Sequence, residues 1–512
     1  MLLKRALYTL FTLTLLIMPV AITSGLLAWQ HNGATLLDFT PINVDEVLYW
    51  QQGASATAFP LSSGYYTNLE KPADISLLGR YQMWGPFLMQ YYALFGRVIG
   101  WDYWAIPLIN LISFTAVLAL TVWLTRPSLE GLILLNIVIL TFIPLWLYTP
   151  TGLTETLHQA SAVAIAAGLV VLMRQPRRRT KIAVLVLLLA VTLGLRVTWG
   201  ILLFPLVILW GQPTGRQRAL WLGIATVGLL ALYGLRSSLW TSFPEQFNQR
   251  VRVKFSESFQ SGITFWWEHI TYNLNGMRWD PLTNQAFYIQ LGALAGLLCL
   301  AALVIWLLRH RPNAEGRIGS GEIAFHLFNL AVITAVIVVF YDVFDWRGYR
   351  TIAPHLLLTL VMLALMRRRW LVLAMIPFTV WVMPNALSAV YNDYYWTGYG
   401  HFTPSVREGI TENVRLLAEH IQPQVNPPSA WCNSIALSQL DMQRVLAIPH
   451  GIGLNLIYGD LDNWMAPPPY TFKSRYLWLS PEVIARYQAD AQAEYLGHIG
   501  GTPLYRNLTV DC

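Results

Sequence analysis

Apolar runs of about 20 residues recur along most of this chain, and that recurrence leaves few folds open. About 20 apolar residues is the length an α-helix needs to cross the hydrocarbon of a bilayer. Inside lipid, every backbone N–H and C=O must be satisfied within the structure, which a helix does by itself. The runs fall at 6–28, 104–125, 129–149, 155–173, 182–195, 197–211, 219–235, 287–308, 322–341, 351–366 and 370–388. They predict an all-α polytopic membrane protein with about 11 transmembrane helices. The fifth and sixth runs are short and flank Gly194 and Arg196, so a bent pair meeting near the outer surface is expected there. With 55% hydrophobic and 12% charged residues, the composition is not that of a soluble domain. The first run has no A-x-A-like cleavage site and is followed by further runs, so it reads as an uncleaved anchor.

The charges orient these helices. The net charge is +7, but the basic residues sit in short loops between apolar runs, so the charge does not indicate nucleic acid. With Lys4 and Arg5 in the cytoplasm, the alternate loops hold Arg126; Arg174, Arg177, Arg178, Arg179 and Lys181; Arg216 and Arg218; Arg309, Arg311 and Arg317; and Arg367, Arg368 and Arg369. Basic short loops on one side are the mark of the cytoplasmic face. The N-terminus is therefore expected inside and the C-terminus outside. The outer side receives a first loop at 29–103, a loop at 236–286, a short loop at 342–350, and the tail.

The tail, taken as 391–512, reads as a small α/β domain beside a membrane domain at 1–390. "SVREGITENVRLLAEHIQ" places Val406, Ile410, Val414, Leu417 and Ile421 on one helical stripe, with Ser405 and Glu408 spaced as a capping box. "VLAIPH", "GLNLIYG", "RYLWLS" and "TPLYRNL" read as short strands. "SPEVIARYQADAQAEYLG" reads as another helix. Cys432 and Cys512 both fall in this outer segment, where a disulfide can persist; bridged and free thiols are both open. Cys299 lies inside a run and reads as a small apolar filler. No Cys/His spacing matches a zinc site and no glycine loop suits a phosphate, so nucleotide-dependent chemistry has no support.

The most informative polar feature is Asp45-Glu46 in "PINVDEVLYWQQ", just past the first run. On a helix, Asp45 shares a face with Tyr49, and Glu46 with Trp50. A carboxylate beside an aromatic platform suits sugar chemistry: the acid takes a proton from a hydroxyl and the ring stacks on the sugar. Glu46 has three open readings, as a direct participant, as an orienter of a neighbour, or as a metal ligand. Glu155 opens the fourth run, where an acid is costly unless paired or wet. His158, one turn on, reads as a packed polar residue or a substrate contact. Arg196, Arg347 and Arg350 sit at outer ends of runs, and a guanidinium fork matches two phosphate oxygens.

The order of these features resembles the GT-C superfamily of integral-membrane glycosyltransferases, especially the bacterial relatives of dolichyl-phosphate-mannose protein mannosyltransferases and lipid A aminoarabinose transferase. Asp45-Glu46 after the first span is similar to that group's best-known mark. "GLTETLHQASAVAIAAGLV", "LGLRVTWGILLFPLVIL" and "RGYRTIAPHLLLTLVML" resemble its fourth span, its bent helix pair and a late span. The resemblance covers roughly 1–390. "RYQMWGP" and the absence of a proline in "RVTWG" depart from the group's pattern.

The resemblance implies a sugar transfer, typically inverting, from a polyprenyl-phosphate-linked donor to a hydroxyl acceptor at the outer face of a bacterial cytoplasmic membrane. Asp45, Glu46 and Glu155 would be its catalytic acids, Arg196, Arg347 and Arg350 its donor-phosphate ligands, and Tyr49, Trp50 and His158 its sugar or acceptor contacts. Lipid, polysaccharide and protein acceptors all stay open, as does a divalent metal. Two other classes compete: a polytopic lipid or glycan transporter or flippase, and a non-catalytic membrane protein that binds envelope glycan. The absence of an internal repeat with broken helices in two halves weighs against the transporter. Convergence of Asp45, Glu155 and Arg350 on one outward site would favour the enzyme.

Overall fold

A computed structural model describes residues 2–58, 66–69, 85–175, 177–209, 215–239, 247–279, 320–340, 348–374, 399–424, 427–438, 442–456, 471–487 and 492–512. The chain is mostly helical with a small sheet towards its C-terminal end. The helices up to residue 279 are α1 (Leu2–Gln30), α2 (Val44–Ala58), α3 (Gly85–Ile99), α4 (Ala105–Thr125), α5 (Leu129–Thr141), α6 (Ile143–Tyr148), α7 (Glu155–Arg174), α8 (Arg178–Gly194), α9 (Leu203–Leu209), α10 (Gly215–Leu239), α11 (Phe247–Glu257) and α12 (Phe259–Trp279). After them come α13 (Ser320–Leu327), α14 (Ile333–Phe340), α15 (Ala353–Leu365), α16 (Pro404–His420), α17 (Met442–Ala447) and α18 (Pro481–Tyr487).

Three of these, α1, α4 and α7, are long and apolar enough to cross a membrane, and they are the basis for reading the chain as a membrane protein. Leu10, Leu13, Ile17 and Val20 of α1 are exposed, as a lipid-facing helix requires. The expected count of about eleven is not reached among the described residues. The run at 129–149 is divided at Phe142 into α5 and α6, because Pro144 cannot donate to a continuing helix but fits the first turn of a new one. The run at 197–211 is a 3-10 segment, Val197–Leu202, leading into α9. The run at 322–341 carries a π-helical turn, Phe328–Val332, between α13 and α14. The outer loop expected at 236–286 contains α11 and α12. The run at 287–308, with Cys299, and most of 370–388 lie outside the described residues.

The centre of the bundle is α7, packed between α4 and α15. All thirteen residues of α15 are buried, and its two polar side chains, His355 and Thr359, are hydrogen-bonded within the bundle. The small residues of "ASAVAIAAG" in α7 let neighbouring backbones come close. One apolar cluster runs without a break from this bundle through α2 into the C-terminal region.

That region is built on a six-stranded sheet of order β1-β3-β2-β4-β6-β5, with β1 at Tyr66–Leu69, β2 at Ser434–Leu437, β3 at Gly453–Leu456, β4 at Tyr476–Trp478, β5 at Ala493–Ile499 and β6 at Thr502–Asn507. The first three pairings across the sheet are parallel and the last two antiparallel. Alternation along the strands divides the two faces. Ile435, Leu437, Tyr476 and Trp478 join the main cluster, while Ala436 and Leu477 face a separate one with Val483, Ile484 and Tyr487 of α18. The edge strand β1 comes from the first loop, not from the tail.

Several local expectations change. "VLAIPH" is no strand: its first three residues, Val445, Leu446 and Ala447, end α17, since short apolar runs do not separate strand from helix by pattern. The end of "SPEVIARYQADAQAEYLG" belongs to β5, and only Pro481–Tyr487 is helix. Helix α16 begins two residues earlier than the Ser405 box implied: Thr403 is the N-cap and Pro404 occupies the first turn, with no side-chain cap bond. Proline's fixed φ suits that place.

Cys432 and Cys512, 80 positions apart in sequence, form a disulfide with Cα atoms 5.7 Å apart. It fastens the chain beyond β6 to the turn before β2. Closing such a loop is worth roughly 2–4 kcal/mol in chain entropy. Cys512→Ser is therefore expected to speed cleavage of the tail in limited proteolysis under non-reducing conditions, while fragments containing α1, α4 and α7 persist as in the wild type.

Candidate active site

Helix α2 starts with a reciprocal cap. The Asn43 side chain accepts from Asp45 N (3.1 Å), and the Glu46 carboxylate accepts from Asn43 N (3.2 Å), the arrangement of a capping box. Glu46 reaches further than its own helix. Its Oε1 accepts from Gly152 N, in the loop before α7 (2.9 Å), and His401 Nε2 donates at 2.7 Å to Oε2, the oxygen that also accepts from Asn43 N. Both side chains are fully buried. A Cβ at position 152 would lie 3.2 Å from Glu46 Cβ, so glycine lets the loop close on the carboxylate. His401 is fixed in turn: its ring stacks on Phe39 and its carbonyl accepts from Thr40 N.

Asp45 points elsewhere, because adjacent helical residues diverge by about 100°. Its Oδ2 accepts from Arg350 Nη2 at 3.0 Å. The Arg350 Nε lies 3.6 Å from Glu155 Oε1, and Arg196 Nη2 lies 3.3 Å from the same oxygen. Acid and base therefore alternate through Asp45, Arg350, Glu155 and Arg196. Asp45 and Arg350 are about a quarter exposed, whereas Glu155 and Arg196 are almost wholly buried. The cluster is wet at one end and dry at the other. Burial lowers the Arg350 pKa, but Glu155 and Asp45 outweigh it and raise the value above the ordinary one. Tyr49, one turn after Asp45, has its pKa raised well above the usual value by burial first and then by Asp45 and Glu155, against the opposing pull of Arg350 and Arg196. Its hydroxyl stays a donor at neutral pH.

The structure thus groups Asp45, Tyr49, Glu155, Arg196 and Arg350. It takes three other expected residues away from that group. Glu46 does not lie beside Asp45; its contacts are those of an orienting clamp. Trp50 is buried, with its Nε1 donating to Asp102 O and its ring near Tyr103 and His450, so it is no open platform for a sugar. His158 is buried, and its Nδ1 accepts from Trp199 Nε1 at 3.2 Å, which is the packed reading. Arg347 lies outside the described residues, as do Asp342 and Asp345. Among the described residues, no group of three or more His, Cys, Asp or Glu could hold a metal ion.

The C-terminal region touches the site through α2. Gln51 Nε2 donates to Ile452 O, Ser55 Oγ accepts from Gly451 N, and Arg407 pairs with Asp102. His401 is the residue that sequence reasoning missed. It lies 355 positions from Glu46, in a stretch with no local pattern to mark it.

No family model matches the chain, and no curated protein matches it. Among solved structures, ArnT from Cupriavidus metallidurans bound to undecaprenyl phosphate is 12% identical, with 96% of this chain and 97% of that one covered and a TM-score of 0.42. The apo state of the same protein is 13% identical, with 97% and 98% covered and a TM-score of 0.43. ArnT is a lipid A aminoarabinose transferase, of the group that the sequence resembles.

The clamp has a measurable weight. A hydrogen bond to a buried charged group contributes about 1.5–3 kcal/mol, and His401→Ala leaves the Glu46 carboxylate short of one. His401→Ala is expected to lower the thermal midpoint in detergent by several degrees, and Glu46→Leu to lower it at least as much, because it deprives three N–H donors, Asn43 N, Gly152 N and His401 Nε2, of their acceptor. A midpoint for His401→Ala equal to wild type would remove the clamp from the account.

Proposed function

We propose that this protein is a glycosyltransferase that moves a sugar from a polyprenyl-phosphate-linked donor to a hydroxyl acceptor at the outer face of a bacterial cytoplasmic membrane. One observation carries the reading: Asp45, Glu155, Arg196 and Arg350, from distant parts of the chain, meet in a single alternating cluster that is open at the Asp45 end. Charges at the ends of apolar segments are expensive. Their grouping provides a base and two arginine forks within a few ångströms of each other.

The chemistry follows from that grouping. At rest, Arg350 is held by Asp45. A donor phosphodiester carries the same charge as a carboxylate and binds the same fork. It competes for Arg350 and frees Asp45. Asp45 then accepts the proton of the acceptor hydroxyl as the hydroxyl oxygen attacks the anomeric carbon. The bond from that carbon to the phosphate oxygen breaks, and the phosphate leaves with the electron pair. Arg350 and Arg196 face the charge that grows on it, the place where fixed donors accelerate a reaction most. Attack opposite the departing phosphate would invert the anomeric centre. Glu155 keeps the two arginines apart and aimed, and Tyr49 stays neutral beside them to donate a hydrogen bond. The donor order is part of the reading: donor first, acceptor second.

Asp45→Asn keeps the shape but removes the base. Transfer from a polyprenyl-phosphate sugar to acceptor is expected to fall by roughly 10²–10⁴-fold, with folded yield unchanged; near-normal transfer by the purified variant would end this mechanism. Arg350→Lys keeps the charge and loses the fork, so KM for the donor is expected to rise by about tenfold or more. An unchanged donor KM in both Arg350→Lys and Arg350→Ala would place the phosphate elsewhere.

A further inference from the structure

The start of α7 holds polar atoms that the cluster does not use. Among the described residues, Thr154 Oγ1, Glu155 Oε2, Thr156 Oγ1, and both Oε1 and Nε2 of Gln159 are buried with no hydrogen-bond partner. Gln159 is wholly buried. It follows Glu155 by four residues, so it lies on the same face of the helix, one turn deeper. Thr198 Oγ1, two residues past Arg196 in the facing 3-10 segment, is likewise buried and unpartnered.

Single unpartnered oxygens occur elsewhere, as at Gln51 and Asn136, but those amides still donate through their nitrogens. Asn110 of α4, equally buried, donates its amide to Leu153 O and accepts from Tyr92. Asn329 donates to His355 O and to Thr359. Thr154 occupies the N-cap of α7, a place where a threonine hydroxyl ordinarily accepts from the helix, yet its side chain makes no cap bond. Buried polar groups without partners are rare because each costs free energy, and they gather where a ligand completes them.

We infer that the first turns of α7 form the recognition site for the sugar headgroup of the donor, with Gln159 as its principal reader. The inference rests on the glycosyltransferase reading and extends it. Glu155 Oε1 engages the two arginines, leaving Oε2 turned to another partner. An amide has two N–H donors and a carbonyl acceptor, and a carboxylate oxygen and hydroxyls lie beside it. That mixture suits a polyhydroxylated ring, whose neighbouring hydroxyls donate and accept in turn. It suits neither a bare phosphate, which asks for donors only, nor an acyl chain. With its phosphate on the arginines, a donor would reach Gln159 with the far side of its sugar.

The test uses the purified full chain and Gln159→Met, which keeps length and removes hydrogen bonding. The probes are bare undecaprenyl phosphate and undecaprenyl phosphate carrying glucose, mannose or arabinose. The best glycosylated probe of the wild type is expected to bind about tenfold or more weakly to the variant. Bare undecaprenyl phosphate should change by less than about twofold, and the thermal midpoint without ligand should stay equal or rise, since an unpartnered amide has been replaced by an apolar group. Equal binding of the glycosylated probe by variant and wild type overturns this inference and leaves the donor reading intact. A lower midpoint with both kinds of probe weakened alike also overturns it, making Gln159 a packing residue. Failure of the wild type to bind any glycosylated probe sinks the donor reading and this inference with it.

Discussion

The arrangement depends on one buried carboxylate. Glu46 is fully buried, and an ionised group in that position is tolerable only when its oxygens are met by donors. The donors come from three places: the start of α2, the loop before α7, and the turn at His401. Because all three must be present together, satisfying the charge also fixes their mutual placement. Asp45 is the residue before Glu46, and Glu155 lies three residues after Gly152. Their separation is therefore set by a group that takes no part in their ion pairs. The C-terminal region adds to this hold through Ile452, Gly451 and Arg407, so the sheet acts on the cluster from behind α2.

The cluster itself shows how charge is carried into a largely apolar body. Two acids and two arginines alternate, so no like charges are neighbours. The buried end holds a pair, Glu155 and Arg196, and the partly exposed end holds Asp45 and Arg350. An anion arriving from the wet side meets the more exposed arginine first, and the buried pair is left to keep its alignment.

Much of this was legible in the sequence for a physical reason. Glu155, Arg196 and Arg350 each stand at the end of an apolar run, where a charge needs a partner, and Asp45 heads the first amphipathic stretch after the first run. Tyr49 follows from its spacing to Asp45. Glu46, open in the sequence between direct, orienting and metal-binding roles, makes the contacts of an orienter. Trp50 misled because an indole beside an acid looks like a platform, while here it fills the gap above Asp102 and Tyr103. His401 carried no signal, since its partner is 355 residues away. The sheet was partly legible: β3, β4 and β6 fall in runs with strand composition, but β2, the mixed origin of β5, and the contribution of β1 from the first loop were not. Pairing between segments so far apart leaves no local pattern.

That same separation sets an order of events during synthesis. At roughly 5–20 residues per second, the 355 positions from Glu46 to His401 take the ribosome roughly 20–70 s. For that interval the nascent chain carries α2 without its histidine, and β1 without β3 to lie against. The membrane helices can assemble in the meantime, but the acid that heads α2 cannot be sealed in until the last fifth of the chain arrives. Completion of the site is thus a late checkpoint. A chain cut short before the tail would lack the histidine that closes over Glu46 at the head of α2.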